Sequence, residues 1–152
     1  MMPMLAMLLM LVASPVMAKS LDIMPTKILR AHGKPVSLKL EIAKDEATRN
    51  YGLMNRTKLA PSDGMLFLFP KASPLKFWMK DTLIPLDVLF VDAGGRIAFI
   101  AHGMPHDLQP FGPDIPIATV IEIDGGRAAR DGIKVGDEVD YDATLLQNQM
   151  VR

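Results

Sequence analysis

The chain has 152 residues, with 17 basic and 17 acidic side chains, three His and no Cys. This length suits one domain, with or without a processed segment. The zero net charge argues against a dedicated nucleic-acid binder, which normally carries a basic excess. The absence of Cys from the chain excludes disulfides, thiolate zinc sites, iron–sulfur clusters and cysteine nucleophiles.

The first eighteen residues have the composition of a secretory signal peptide. Met4–Val12 is an unbroken apolar run, too short for the roughly 20 residues that a membrane-spanning helix needs. Val16 and Ala18 fit the small-residue pattern of a cleavage site, which makes Lys19 the first mature residue. No Lys or Arg precedes the apolar run, which departs from the usual pattern. The sequence therefore predicts a periplasmic or secreted protein, without membrane insertion after processing.

The next segments give an extension, a strand and a helix. Residues 19–35 contain two prolines and a glycine and show little periodicity, so we expect an N-terminal extension. Val36–Ile42 alternates apolar and polar residues, which is typical of a half-buried strand. Asp45 is placed to cap a helix that begins at Glu46. That helix contains Gly52, which costs about 1 kcal/mol relative to Ala and so indicates close approach of a backbone or ligand.

The remaining segments read mostly as short strands. Met65–Phe69 is apolar on both faces, which is typical of a central strand. Further strands are predicted at 76–80, 87–91, 96–100, 119–123 and 138–141, and a helical turn at 127–131. Many short strands with one convincing helix predict a mostly β fold, a sandwich or barrel with one or two short helices. The single β domain is expected to span residues 36–142, and residues 143–152 to form a C-terminal tail.

The densest group of motifs lies between Arg49 and Asp87. It reads Arg49-x-x-Gly52-Leu53-Met54-x-Arg56, Gly64-Met65-Leu66-Phe67, Phe77-Trp78-Met79-Lys80-Asp81-Thr82 and Ile84-Pro85-Leu86-Asp87. With Val120-Ile121-Glu122 and Gly136-Asp137, these segments resemble the prokaryotic family known as domain of unknown function 192. The resemblance covers about residues 36–142 and implies a compact, jelly-roll-like β sandwich. It implies no activity, because the family is uncharacterised. Asp81 stands where the family usually has Asn.

Trp78 is the first candidate for ligand binding. On a strand, Lys76 and Lys80 share its face, whereas Phe77 and Met79 share the other. An exposed ring beside ammonium groups suits stacking on a sugar or another planar ligand. The alternative is that a loop covers Trp78 and the lysine stems pack along its ring.

Four charged side chains extend this candidate site. Arg49 and Arg56 are seven residues apart on the predicted helix, hence on one face. Asp87 and Glu122 are carboxylates within apolar strand segments, where an ionised group needs a basic or hydrogen-bonding partner. One interpretation is a polar pocket in which both arginines and Lys80 hold an anionic group near Asp87. The other is an internal ion-pair network that closes the sandwich.

His102 and His106 are weak candidates for metal ligands. Together with Asp107 they could bind a metal. Gly103 and Pro105, however, preclude a helix that would hold both rings on one face. We therefore predict solvated loop histidines, no metal site and no cofactor.

The sequence predicts a binding or accessory module of the cell envelope. Its ligand, a small molecule or a glycan, is expected to contact five side chains. These are Trp78, Lys80, Arg49, Arg56 and Asp87. A first alternative is a hydrolase or lyase that uses Asp87 and Glu122 as acid and base on an envelope glycan. A second is a structural or partner-binding protein without a small ligand. No nucleic-acid partner is predicted, and the oligomeric state is left open.

Overall fold

A computed structural model describes residues 20–142, so the predicted leader and the predicted C-terminal tail lie outside the described residues. The strands are β1 (Ile23–Leu29), β2 (Val36–Ala43), β3 (Gly64–Ser73), β4 (Leu86–Val91), β5 (Ile97–Gly103), β6 (Ile117–Asp124) and β7 (Glu138–Tyr141). The helices are α1 (Glu46–Tyr51) and α2 (Arg127–Arg130). None of the helices within residues 20–142 is long and apolar enough to cross a membrane.

The seven strands form one curled sheet in the order β5-β4-β6-β3-β2-β1-β7. Neighbouring strands are antiparallel, except β2 and β3, which are parallel. A bridge between Arg96 and Glu138 connects the two ends of the sheet, and Val139 N donates to Gly95 O at 2.8 Å. The predicted mostly β fold with two short helices is therefore confirmed, as a single sheet curled like half a barrel.

The sheet carries an apolar core on each face, because successive strand side chains point to opposite faces. The first core includes Leu38, Leu40, Ile42, Leu66, Leu89, Ile121 and Ile123. The second core includes Ala43, Met65, Phe67, Val88, Phe90 and Val120. Val120 and Glu122 on β6 therefore share the second face.

Two connections cover the second face. Because β2 and β3 are parallel, the chain between them must cross over the sheet before it can pair again. This connection, residues 44–63, carries α1 and buries Leu53 and Leu59 in the second core. The β3–β4 connection, residues 74–85, buries Met79 in the same core. Loops rather than a second sheet thus complete this side of the domain.

Residues 19–35, expected as an extension, contribute a strand to the sheet. β1 lies between β2 and β7 and pairs with both. Met24, Thr26 and Ile28 are buried in alternation with exposed residues. The period of two is therefore present, but polar Thr26 at an inward position and Pro25 beside it obscured the pattern.

The predicted helix begins at Glu46, as expected, but it is shorter than expected. Asp45 Oδ1 accepts a hydrogen bond from Thr48 N at 2.8 Å, and Asp45 N donates to Thr48 Oγ1 at 3.3 Å. This reciprocal capping box fixes the first turn. The helix has only six residues. Arg56 lies beyond its end, so Arg49 and Arg56 do not share a helix face.

The segment 76–80, predicted as a strand, is extended but pairs only through an isolated bridge between Phe77 and Phe111. The predicted alternation of burial nevertheless holds. Met79 is buried and Phe77 packs against the second core, whereas Trp78 and the two lysines are exposed. The other predicted strands are all present in the sheet.

An aromatic cleft over Glu122

A cavity of about 280 Å³ opens on the second face, between the two covering connections. We call it the aromatic cleft. The sheet contributes Phe67, Phe69 and Glu122 to it. The β2–β3 connection contributes Arg49, Asn50, Tyr51, Gly52, Leu53 and Met54. The β3–β4 connection contributes Leu75, Lys76, Phe77, Trp78 and Thr82.

Glu122 lies in the middle of the sheet, opposite Met65 of β3 and Val88 of β4. The residue is only 5% exposed. Its carboxyl group forms no hydrogen bond or ion pair with any residue between 20 and 142. Every fully enclosed side-chain oxygen in this part of the chain does have a partner, so the Glu122 oxygens must be open to the cleft. The partner expected for this carboxylate is therefore not supplied by the described residues.

Burial raises the pKa of Glu122 to about 8. The carboxylate would lose its hydration here without gaining a neighbouring charge or hydrogen bond, so the neutral acid is favoured. At neutral pH the Glu122 carboxyl group is consequently mostly protonated. In that form it can donate a hydrogen bond as well as accept one.

Asp87, the other candidate acid, lies on the opposite face of the sheet. Val88 is the residue of β4 that faces Glu122, and its neighbour Asp87 therefore points to the first core. Asp87 Oδ2 accepts a hydrogen bond from Ala128 N at 2.8 Å, and Oδ1 lies 2.7 Å from His102 Nδ1. Asp87 thus anchors the start of α2. The structure does not bring the two carboxyl groups into one site, as the hydrolase hypothesis requires.

Arg49 lies in the wall of the aromatic cleft. Its guanidinium donates to the carbonyl oxygens of Lys44 and Leu68, the latter at 3.0 Å. It also lies over the ring of Phe69, 5.4 Å from the ring centroid. Backbone carbonyls and an aromatic face, rather than a carboxylate, therefore hold this cation in place.

Arg56, which was predicted to act beside Arg49, is paired with Glu41. Its Nη1 and Nη2 donate to the two Glu41 oxygens at 2.6 and 2.7 Å, and Ser62 Oγ donates to Oε1 at 2.9 Å. The hydrogen bond from Arg56 is the main cause that lowers the pKa of Glu41. Arg56 does not line the aromatic cleft. The internal ion-pair interpretation therefore describes this arginine.

Trp78 lies at the mouth of the aromatic cleft and is 46% exposed. Lys80 Nζ is 5.3 Å from the centroid of its ring. The ammonium group of Lys76 turns the other way, to the carbonyl of Gly112 and to Asp114 Oδ1 at 2.8 Å. The structure thus brings Trp78 and Lys80 together and leaves much of the ring open to solvent.

The inner walls of the cleft are packed aromatic rings. Phe77 makes edge-to-face contacts with Phe67, Phe69 and Phe90, with ring centroids 5.2, 6.4 and 5.7 Å apart. Gly52 caps α1 with a positive φ of 52°, and a Cβ there would lie 3.3 Å from Phe67 Cζ. The group that approaches Gly52 most closely is therefore the side chain of Phe67, and not the backbone or ligand that was predicted. Gly52 also ends the helix instead of lying inside it.

The two candidate metal ligands lie in different surroundings. His102 lies on β5 and not in a loop as predicted; its ring is hydrogen-bonded to Asp87, and its side chain is 70% exposed. His106 donates its backbone N–H to Thr82 O at 3.1 Å. Between residues 20 and 142, no three His, Cys, Asp or Glu side chains are grouped so that they could hold a metal ion.

Asp81 occupies the position where the resemblance leads us to expect Asn. Its φ is +51°, in the left-handed region, and its carbonyl accepts a hydrogen bond from Asn55 N at 2.8 Å. Asn and Asp are the residues other than Gly that adopt this region most readily. The departure from the family pattern is therefore compatible with the turn before Thr82.

Comparison with known proteins identifies the family. The domain of unknown function DUF192, described as "Uncharacterized ACR", matches residues 27–141. The chain belongs to the DUF192 family. A crystal structure from Novosphingobium aromaticivorans DSM 12444, of a protein of unknown function, is 39% identical with a TM-score of 0.75 and covers 84% of this chain and 89% of its own.

A second similar structure, from Sinorhizobium meliloti 1021, is that of a protein described as a "putative transcription regulator". It is 34% identical, with a TM-score of 0.78, and the match covers 82% of this chain and 97% of that one. No curated protein matches the chain. The segments that carry the DUF192 resemblance supply much of the aromatic cleft, including Arg49, Gly52, Phe67, Trp78 and Glu122.

Proposed function

We propose that this DUF192 protein is a small-ligand binding module and that the aromatic cleft is its binding site. The observation that carries the proposal is the buried Glu122 carboxyl group, which faces the cleft without a partner among residues 20–142. The Glu122 oxygens open to the cleft, so a ligand in the cleft is placed to donate a hydrogen bond to them. A hydrogen bond made in such a poorly hydrated site is stronger than one made in water.

The size and lining of the cleft define the kind of ligand. Its volume of about 280 Å³ is near the lower end of the roughly 300–1,000 Å³ of small-molecule pockets. The open ring of Trp78 offers a stacking surface at the mouth. An apolar or aromatic body with one polar end therefore fits the aromatic cleft better than an extended polymer.

We also propose that the protein acts in the cell envelope after export. The support is the apolar run Met4–Val12 and the cleavage pattern that ends at Ala18. Protein purified from the periplasm or medium of the source cells should begin at Lys19 on N-terminal sequencing. A cytoplasmic product that keeps Met1 would contradict export and leave the binding proposal standing.

DNA binding is a second candidate, because the Sinorhizobium meliloti neighbour is described as a "putative transcription regulator". The zero net charge of this chain does not favour it. Fluorescence anisotropy with labelled duplex DNA at low and high salt decides the matter. Salt-sensitive binding would support the DNA candidate, whereas no binding even at low salt would dismiss it.

Ligand binding in the aromatic cleft can be tested with the protein's own fluorescence. Trp78 is the single Trp of the chain, so its emission reports on the mouth of the cleft. A library of sugars, peptidoglycan fragments, amines and carboxylates should contain compounds that shift this emission and raise the melting temperature.

Substitutions of Trp78 and Glu122 test whether the hits bind in the cleft, and Phe99→Ala is the control. The rise in melting temperature should be lost in Trp78→Ala and persist in Phe99→Ala, which removes an exposed ring outside the cleft. Hits that stabilise Trp78→Ala and Glu122→Gln as strongly as the wild type would place binding elsewhere. A library without hits would speak against a small-ligand function.

A further inference from the structure

We propose that the ligand of the aromatic cleft carries a cationic amine, and that this amine binds the Glu122 carboxylate. The inference rests on the proposed binding function and deepens it by naming the ligand class. Two observations support it: the buried Glu122 carboxyl group has no partner among residues 20–142, and aromatic rings form the walls around it.

Glu122 lacks a side-chain hydrogen-bond donor on either neighbouring strand. Its neighbours across β3 and β4 are Met65 and Val88, which offer no side-chain donor. A neutral donor from the ligand would restore one hydrogen bond. An ammonium group would restore a charge-assisted hydrogen bond and add a charge attraction that burial strengthens. The site therefore favours a cation over a neutral donor.

The aromatic walls of the cleft suit a cation. The face of an aromatic ring attracts cations that lie within about 6 Å of its centroid, and Trp attracts them best. The aromatic cleft already shows this chemistry twice, with Arg49 over Phe69 at 5.4 Å and Lys80 over Trp78 at 5.3 Å. Rings that stabilise these side-chain cations also suit a cation that enters with a ligand.

Within residues 20–142, the two cationic side chains that line the cleft are held by groups other than Glu122. Besides Glu122, the titratable side chains that line the cleft are Arg49, Tyr51 and Lys76, and none comes from β3 or β4. Arg49 is held by backbone carbonyls, and Lys76 is held by the loop at Gly112. Burial alone raises the pKa of Glu122, so neither cation neutralises its carboxylate. The Glu122 carboxylate is therefore not already paired with a cationic side chain from the described residues, and a ligand ammonium group can bind it.

Proton balance gives the proposal a distinctive signature. Below about pH 8 the free protein carries a protonated Glu122, whereas the bound amine needs its carboxylate. An ammonium ligand therefore displaces about one proton to solvent, and its apparent affinity rises with pH as Glu122 ionises. A neutral ligand displaces none.

The experiment compares benzylamine with its neutral analogue benzyl alcohol and with benzoate, in the full chain. Trp78 fluorescence titrations at pH 8 should show benzylamine binding about tenfold more tightly than benzyl alcohol, as expected for a charge-assisted hydrogen bond. The affinity for benzylamine should rise about fivefold from pH 7 to pH 8. Calorimetry in two buffers with different ionisation enthalpies should detect the released proton.

Two variants test the assignment to Glu122. Glu122→Gln keeps the shape of the neutral acid and should abolish the preference for benzylamine without loss of benzyl alcohol binding. Glu46→Gln makes the same change of charge on α1, at an exposed residue that does not line the cleft, and should keep the preference.

The binding data distinguish failure of the amine class from failure of the binding function. Equal binding of benzylamine and benzyl alcohol, tighter binding of benzoate, or an undiminished preference in Glu122→Gln would overturn the amine class. So would a wild-type protein that does not bind benzylamine. In each of these cases, the binding proposal would still be supported if the library contained compounds that bind in the cleft. A library without hits would remove both proposals.

Discussion

Glu41 and Glu122 lie on either side of Met65, on the same face of the sheet. Glu41 is held by Arg56 and Ser62, and its pKa is lowered. Glu122 has no partner among residues 20–142, and burial raises its pKa to about 8. Glu41 and Glu122 are both paired with Met65, on the two strands that flank β3. They differ in charge at neutral pH because Glu41 has a cationic partner and Glu122 has none among the described residues.

The raised pKa of Glu122 predicts a loss of stability at alkaline pH. The folded protein holds this proton up to about pH 8, whereas the ordinary value is 4.5. The contribution is fully present below pH 4.5 and is lost as pH rises through 8. Between about pH 5 and pH 9, the free energy of unfolding should fall by about 3–5 kcal/mol more in the wild type than in Glu122→Gln. Urea unfolding at a series of pH values measures this difference. Parallel pH profiles of unfolding free energy for the wild type and Glu122→Gln would contradict the prediction.

The lowered pKa of Glu41 predicts the opposite dependence. Its contribution is present above the ordinary value of 4.5 and is lost as pH falls through the lower folded value. Arg56→Gln should therefore cost about 1–3 kcal/mol at neutral pH, and the difference from wild type should shrink on acidification. Arg130→Gln, which breaks the exposed pair with Asp124, should cost less than about 1 kcal/mol. Equal costs in chemical denaturation would refute the distinction.

Asp87 is expected to matter for stability and not for binding in the cleft. Asp87→Ala leaves the buried backbone N–H of Ala128 without its acceptor and should cost about 2–4 kcal/mol. His102→Ala, at an exposed side chain, should cost less than about 1 kcal/mol. Library hits should still bind folded Asp87→Ala, because this residue lies on the other face. Loss of binding with intact folding would show that Asp87 acts on the site.

Gly64 is expected to tolerate no side chain. A Cβ there would lie 1.9 Å from the carbonyl oxygen of Glu122, and the φ of Gly64 is +154°. Gly64→Ala should therefore cost more than about 3 kcal/mol or prevent folding. Gly136→Ala is the matched control, with φ +94° and no atom within 4 Å, and should cost about 1–2 kcal/mol of backbone strain. Similar melting temperatures for the two variants would contradict the steric argument.

The fold was accessible from the sequence wherever the signal was local. Alternation in Val36–Ile42 and the cap at Asp45 each depend on neighbours within a few residues, and both were predicted correctly. β1 was missed because Thr26 is a polar residue at an inward position. The helix was extended too far, because nothing local showed that Gly52 would adopt φ +52° at its end.

The candidate site was less accessible, because partners come from distant segments. Asp87 and Glu122 look alike in sequence, each a carboxylate in an apolar strand. Ala128, 41 residues away, satisfies Asp87, and no described residue satisfies Glu122. Register decides which face each carboxyl group occupies, and register cannot be read from either strand alone. Phe67 and Phe69 gave no signal beyond that of a core strand.

The aromatic cleft is built from two kinds of segment, a strand of the sheet and the connections that cover its second face. The carboxyl group of the aromatic cleft belongs to a central strand, whereas Arg49, Trp78 and Thr82 belong to residues 44–63 and 74–85. Surface connections accept insertions and substitutions more readily than paired strands do. The width and depth of the cleft can therefore be re-engineered by grafting new connections, while the sheet keeps the acidic group at a fixed position.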